Sequence, residues 1–177
     1  MNILGISGSL RKGSRNTALL NEAVRLLGPD QVMVADLNLP LYDGDLEDRI
    51  GLPDPVKALC NQIRAADGII IATPEYNKMI PGVLKNALDW ISRDKPQPLA
   101  GKPVATVSTG GRAGGEVAHF TLRQALATFN TNMLQGGAFC VPNGASAFDE
   151  HDRLTIDAQI NGLSTLMERL RAEINRR

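Results

Sequence analysis

The chain has few of the features that mark membrane-spanning or nucleic-acid-binding proteins. Aromatic residues make up only 4% of its 177 residues, with a single tryptophan. Lys and Arg balance Asp and Glu at 19 each, so there is no excess positive charge to attract nucleic acid or an anionic membrane. No apolar run approaches the roughly 18 residues that a membrane-spanning helix needs. We therefore expect a cytoplasmic protein with no nucleic-acid or membrane partner.

Cysteine and histidine are too sparse to indicate a metal site or a disulfide framework. Cys60 lies in a helical pattern and Cys140 in a strand-like one, far apart in the sequence. This favours buried structural thiols over a disulfide or a redox pair. His119 and His151 have no carboxylates or cysteines at ligand spacing, so the sequence predicts no metal and assigns neither histidine a catalytic role.

The sequence does have a regular alternation of short apolar runs and helical patterns. Strands are predicted over residues 3–6, 31–37, 68–73, 103–108 and 133–141, and helices over residues 17–27, 54–63, 83–91, 116–129 and 155–174. Five strand-helix repeats predict an α/β fold, a parallel sheet with helices on both faces, in one domain spanning residues 1–177. The acidic segment 38–53 is predicted to be a solvated loop.

Three predicted strands run into segments rich in glycine, serine or proline. We name them the first loop (residues 7–17), the second loop (residues 74–77) and the third loop (residues 108–115). Ligands of open α/β sheets bind beyond the carboxyl ends of the strands. We therefore expect one ligand to contact all three loops.

The first loop has the composition of a phosphate site at a helix N-terminus. Arg11 supplies a planar fork for phosphate oxygens, Gly8 and Gly13 allow close backbone approach, and residues 9–17 carry three positive charges and no negative one. Hydroxyl donors are supplied by Ser7, Ser9, Ser14 and Thr17. The loop matches neither the Walker pattern nor the dinucleotide fingerprint. The alternative is an ordinary turn with solvated basic residues.

The other two loops suit a flat polar ring. The second loop, Pro74-Glu75-Tyr76-Asn77, combines an aromatic face with backbone donors. The glycines of the third loop allow the backbone to approach the opposite edge of a ring. A ligand with a phosphate at one end and a planar heterocycle at the other satisfies both requirements, and flavin mononucleotide (FMN) fits this description.

Two long segments resemble the NADPH-dependent FMN reductase family. Residues 8–16 (GSLRKGSRN) are similar to its phosphate loop, and residues 74–77 (PEYN) with 81–90 (PGVLKNALDW) are similar to its second signature. The likeness extends over nearly the whole chain. Within the family, the sequence is most similar to the bacterial quinone and chromate reductases.

The resemblance implies a flavodoxin-like three-layer sandwich with a five-stranded parallel sheet. It also implies bound FMN, NADPH or NADH as co-substrate, a homodimer or homotetramer, and small-molecule electron acceptors such as quinones, azo compounds or chromate. The flavin N5 atom would carry the hydride, so no catalytic side chain is assigned. The cofactor-binding residues that it implies are Ser9, Arg11, Ser14, Arg15, Asn16, Thr17, Pro74, Glu75, Tyr76, Asn77, Ser108, Thr109, Gly110 and Gly111.

Several alternatives remain open at this point. The family pattern changes to Lys-Met-Ile at residues 78–80, beside the expected flavin mouth, where Lys78 is either a contact for anionic acceptors or a solvated lysine. Arg112 is either a contact for the 2′-phosphate of NADPH or a plain loop residue. Lys85, Asp89 and Trp90 are predicted to be structural. The functional alternatives are a flavodoxin-type electron carrier and a flavin-sensing protein without turnover.

Overall fold

The computed structural model describes residues 1–136 and 138–176, in which strands and helices alternate. The strands are β1 (Asn2–Ser7), β2 (Gln31–Val34), β3 (Gly68–Thr73), β4 (Pro103–Thr109), β5 (Asn132–Met133) and β6 (Phe139–Val141). The helices are α1 (Arg15–Leu27), α2 (Gly44–Ile50), α3 (Asp54–Ala65), α4 (Gly82–Arg93), α5 (Glu116–Ala127) and α6 (Asp157–Asn175).

The strands form one parallel sheet in the order β2-β1-β3-β4-β5, with β6 also paired to β4. This is the flavodoxin-like order, and it confirms the predicted α/β fold class. The chain order reverses between β1 and β3, where such sheets bind their ligands. The first and second loops follow these two strands.

Two apolar cores cover the two faces of the sheet. Alternate residues of β3 point to opposite sides, so Ile69 and Ile71 belong to one core and Ile70 and Ala72 to the other. Helices α3, α4 and α5 contribute to the first core, and α1 and α6 to the second. Coverage on both faces explains why β3 is a continuous apolar run without alternation.

The prediction of a single strand over residues 133–141 was wrong. β5 pairs with the beginning of β4 at Pro103 and Val104, and β6 pairs with its end, so two short strands share the fifth position. Gly136 has a φ of 117°, which is incompatible with a continuous extended strand. Gly137, also within the predicted strand, lies outside the described residues.

The segment 38–53 is more ordered than the sequence indicated, since it contains α2. The Asp43 side chain caps this helix by accepting a hydrogen bond from the amide of Asp45. The segment is also attached to α4, because Trp90 Nε1 donates to the Pro40 carbonyl at 2.8 Å. The preceding strand, β2, ends at Val34 and not at Leu37 as predicted.

The two cysteines are both free. Cys60 is buried, and burial raises the pKa of its thiol to about 12. Cys140 is only half-buried, so the expectation of buried thiols is confirmed for Cys60 alone. Within the described ranges, no helix is both long and apolar enough to cross a membrane.

Candidate functional site

The first loop places a cationic, hydroxyl-rich surface at the beginning of α1. Ser14 caps the helix, and its side chain accepts a hydrogen bond from the amide of Thr17. The hydroxyl of Thr17 lies 2.7 Å from that of Ser7, and Ser9 Oγ accepts from the amide of Arg11. The first turn of α1 contains no acidic residue, so no carboxylate of the helix itself interacts with the positive end of its dipole.

The three cations of the first loop have different environments. Arg11 and Lys12 are exposed, and their side chains form no hydrogen bond or ion pair with any residue in the described part of the chain. Arg15 is already engaged, since its Nη1 atom donates to Asp152 at 2.8 Å and its guanidinium lies 5.8 Å from the ring centroid of Phe148. Arg11 and Lys12 therefore remain available to an anion, whereas Arg15 has a protein partner.

Asn16 faces the protein interior, with 4% of its surface exposed. Its Nδ2 atom donates to the carbonyl of Thr109 at 2.9 Å, and its Oδ1 atom accepts from the amide of Thr109 at 3.0 Å. The side chain therefore joins the first loop to the third loop.

The polar side chains at the beginning of the third loop are also directed into the protein. Ser108 is fully buried, and its hydroxyl lies 2.8 Å from the Gly114 carbonyl and 3.1 Å from Cys140 Sγ. The hydroxyl of Thr109 donates to the Val141 carbonyl at 2.9 Å. The parts of this loop that remain free to face a ligand are its glycines, its backbone and the exposed side chain of Arg112, which the sequence left open as a contact for the 2′-phosphate of NADPH.

The end of β6 leads into a segment that sequence reasoning missed, which we name the fourth loop (residues 142–146). Its amides at Asn143 and Gly144 donate to the carbonyls of Gly111 and Gly110 at 2.9 and 2.8 Å. The sequence Pro142-Asn143-Gly144 after a predicted strand is a turn signal that would have located this segment.

The second loop combines a tight turn with a carboxylate that points toward α5. Pro74 is buried, whereas Tyr76 is 52% exposed and exchanges two backbone hydrogen bonds with Met79. Asn77 has a positive φ of 51° within this turn.

Glu75 accepts three hydrogen bonds through its two carboxylate oxygens. Oε1 accepts from Lys78 Nζ at 2.9 Å, and Oε2 accepts from the amides of Val117 and Ala118 at 3.1 and 3.3 Å. The bond from Lys78, with those from the two amides, holds the pKa of Glu75 below its ordinary value. Lys78, which the sequence left open, is thus paired with Glu75 while remaining largely exposed.

Two cavities meet at Arg11. One has a volume of about 770 Å³ and is lined by the first, third and fourth loops, through Arg11, Gly13, Arg15, Thr109, Gly110, Gly111, Asn143, Gly144, Ala145 and Ser146. The other measures about 320 Å³ and lies between the first and second loops, lined by Gly8, Ser9, Leu10, Arg11, Tyr76, Pro81, Gly82 and Val83. The three loops are therefore brought together, but around two cavities whose linings share Arg11.

The remaining candidates have structural environments. Trp90 is fully buried, and Lys85 pairs with Asp89 at 2.7 Å on the exposed side of α4. His119 is buried under the third loop with Nε2 3.3 Å from the hydroxyl of Thr106, and burial lowers its pKa to about 4. Among residues 1–136 and 138–176, no group of three or more potential metal ligands is found.

Comparison with known proteins identifies the family. The sequence model of the NADPH-dependent FMN reductases matches residues 1–146, which include all four loops. The chain belongs to this family. It is accordingly a flavin-dependent NAD(P)H oxidoreductase, with FMN as cofactor.

Individual relatives support the assignment over different lengths. An NAD(P)H-dependent FMN reductase of Pseudomonas aeruginosa is 41% identical over 179 aligned residues, which cover 96% of each chain. A quinone reductase of Escherichia coli is 45% identical over 131 residues, 71% of this chain and 69% of that one. The flavoenzyme NAD(P)H:(acceptor) oxidoreductase FerB of Paracoccus denitrificans superposes with a TM-score of 0.88 at 28% identity, covering 99% of this chain and 97% of that one.

Proposed function

We propose that this member of the FMN reductase family uses the cleft formed by the four loops to reduce small-molecule acceptors, with quinones as the main class. The quinone reductase among its relatives supports this acceptor class. Chromate and azo compounds are further candidates that the sequence resemblance suggested. The two free thiols accord with a reducing compartment, and we place the protein in the cytoplasm.

The observation that carries the proposal is the unpartnered cationic surface at the N-terminus of α1. Arg11, Gly13 and Arg15, around the N-terminus of α1, line a cavity of about 770 Å³, within the range of roughly 300–1,000 Å³ typical of cofactor sites. Arg11 would bind the FMN phosphate directly, with the hydroxyls of Ser9 and Ser14 and with Thr17 close by. The residues present therefore fit the phosphate end of FMN.

The ring end of FMN would be bound mainly by backbone. Gly110 and Gly111 line the larger cavity, and an added Cβ at Gly111 would meet no atom within 4 Å, so a flat ring can approach closely. Tyr76 presents a half-exposed aromatic face across the smaller cavity. Pro74 and Asn77 would shape this wall through the turn in which they lie.

FMN supplies the redox chemistry when it is bound, accepting hydride from the nicotinamide and returning electrons to the acceptor. The chain binds the phosphate, orients the ring and leaves one side open to both substrates. No side chain at the cavities needs to act as a general acid or base. The exposed Tyr76 and Met79 would form the apolar rim that an aromatic acceptor contacts.

We further infer that the protein forms a homodimer or homotetramer. Large apolar side chains are exposed on α5, at Val117 and Phe120. Covering them in a subunit interface would remove apolar surface from water. Sedimentation of the full chain measures the oligomeric state, and a monomer at micromolar concentration would contradict this inference.

The visible absorption spectrum of the purified protein, recorded before and after anaerobic addition of NADPH, tests the proposed function. We expect flavin bands that bleach promptly and steady NAD(P)H oxidation once a quinone is added. Bands that persist would instead support an electron carrier or a flavin sensor. A protein that binds no flavin even after addition of FMN would contradict the proposal altogether.

A further inference from the structure

Of the loops that form the cleft, the third has the backbone that its own residues restrict least. Four of its eight residues are glycines, which restrict the backbone less than any other residue. Gly114 and Gly115 have positive φ values of 64° and 82°. Gly115 also occupies the N-cap of α5, where it offers no side chain to the first amides of the helix. Contacts from outside the loop must therefore hold it in place.

One such contact comes from the first loop. Asn16 bonds both backbone groups of Thr109 across a separation of 93 residues, at 2.9 and 3.0 Å. Both bonds are buried, and removal of the amide would leave the N–H and C=O of Thr109 without these partners. The side chain of Asn16 is therefore committed to the third loop and does not face the phosphate site.

The fourth loop and β6 also bond the third loop, and a further contact comes from the second loop. Glu75 accepts from the amides of Val117 and Ala118, so it supplies from a distant segment the cap that Gly115 lacks. A carboxylate at this end of a helix also interacts favourably with the helix dipole. Since α5 follows the third loop directly, this cap holds the end of the loop relative to the second loop.

We propose that Asn16 and Glu75 are positioning residues that act on the flavin ring through the third loop and make no contribution of their own to phosphate binding. The inference rests on the proposed function, in which this cleft holds FMN. Asn16 sets the distance between the first and third loops, and Glu75 sets the distance between the second and third loops. A loop held in advance loses less conformational entropy when a ring binds, which raises affinity.

Paired titrations with FMN and riboflavin, which lacks the phosphate, separate ring binding from phosphate binding. Dissociation constants are measured by flavin fluorescence for the flavin-free full chain and its variants. Arg11→Ala is the phosphate control: we expect it to weaken FMN binding about tenfold and to leave riboflavin binding within about twofold. Asn16→Ala is expected to weaken both flavins by a similar factor, about tenfold.

The Glu75 variants have a matched control in Lys78, which directly follows the second loop and pairs with Glu75. Glu75→Ala should weaken both flavins by about fivefold, and Glu75→Gln, which keeps an oxygen for the two amides, should restore most of the loss. Lys78→Ala removes the ion pair but keeps the helix cap, so both affinities should stay within about twofold. Urea unfolding of each flavin-free variant verifies that it is folded under the titration conditions.

The outcomes separate this inference from the proposed function. If the wild-type chain binds neither flavin, the proposed function fails. If it binds FMN, but Asn16→Ala and Glu75→Ala weaken FMN and spare riboflavin, both residues serve the phosphate and the inference is wrong.

The midpoint potential of bound FMN is a second readout, available from the holoenzyme even where a variant is unstable without flavin or riboflavin binds too weakly. Displacing the third loop changes the contacts of the ring, so the potential should shift in Asn16→Ala and Glu75→Ala but not in Arg11→Ala. Unchanged potentials in both loop variants would overturn the inference.

Discussion

The first and third loops lie at the same edge of the sheet but use their polar groups in opposite ways. In the first loop, Arg11 and Lys12 are exposed and have no described partner. In the third loop, the hydroxyls of Ser108 and Thr109 are buried and bonded to backbone carbonyls. The first loop is therefore equipped to bind through side chains, whereas the beginning of the third loop can offer a ligand mainly its backbone, with Arg112 as its one exposed charged side chain.

This difference means that the same kind of substitution has different consequences in the two loops. A change in the exposed part of the first loop removes a ligand contact and leaves the fold intact. A change at a packed position of the third loop, such as Gly114, disturbs packing against the fourth loop and β6, and affinity follows only indirectly. Five substitutions, two of which are controls, test this contrast.

The largest effect is expected at Gly114. Its φ is +64°, and an added Cβ would lie 2.9 Å from backbone atoms of Cys140 and Val141. Left-handed backbone and overpacking each cost on the order of 1–2 kcal/mol, so Gly114→Ala should lower the free energy of unfolding by about 3 kcal/mol or more. Urea denaturation of the flavin-free chain measures this change.

Gly111→Ala is the matched control within the same loop. A Cβ at Gly111 would meet nothing within 4 Å, so we expect a change within about 0.5 kcal/mol. Equal losses in the two variants would show that loop glycines are required in general, and would contradict the packing argument for Gly114.

An intermediate effect concerns pH and His119, which lies beneath the third loop on α5. Burial lowers its pKa from 6.5 to about 4, with the charge of Arg123 contributing further. The folded state thus favours the neutral ring, and below pH 6.5 the unfolded chain binds more protons. The contribution of His119 to the free energy of unfolding is therefore greatest above pH 6.5 and decreases toward pH 4, by about 2 kcal/mol between pH 7 and 4.5.

His119→Gln, which does not titrate, separates this contribution from that of the carboxylates. Urea midpoints at pH 7 and 4.5 should differ less in the variant than in the wild type. If both proteins lose the same stability over this interval, His119 remains accessible to protons in the folded state.

The smallest effect is expected at the first loop. Asp152→Ala removes the partner of Arg15, and because both side chains are about half exposed, the free energy of unfolding should change by less than about 0.5 kcal/mol. FMN affinity should stay within about threefold if Arg15 is not a phosphate ligand. An increase of about tenfold would show that the released Arg15 binds the phosphate, as the sequence resemblance implied. Asp54→Ala, which removes another exposed ion pair that involves no residue of the loops, is the control.

Much of the fold followed from local pattern, and the exceptions have physical causes. The apolar run of β3 and the helical spacing of α1 and α4 were sufficient to place these elements. The break between β5 and β6 was missed because the backbone of Gly136 decides it, and glycine occurs in strands as well as in turns. Helix α2 was missed because it has no buried residues, so its sequence shows no apolar periodicity.

The sequence by itself determined the order of strands and helices, the cationic character of the first loop and membership of the family. These properties depend on residues close together in the chain, where composition and spacing are informative. Only the tertiary structure decided that Asn16 is directed to Thr109 and that Glu75 caps α5. Such partners lie far apart in sequence, and the parallel register of β1, β3 and β4 brings them within hydrogen-bond distance.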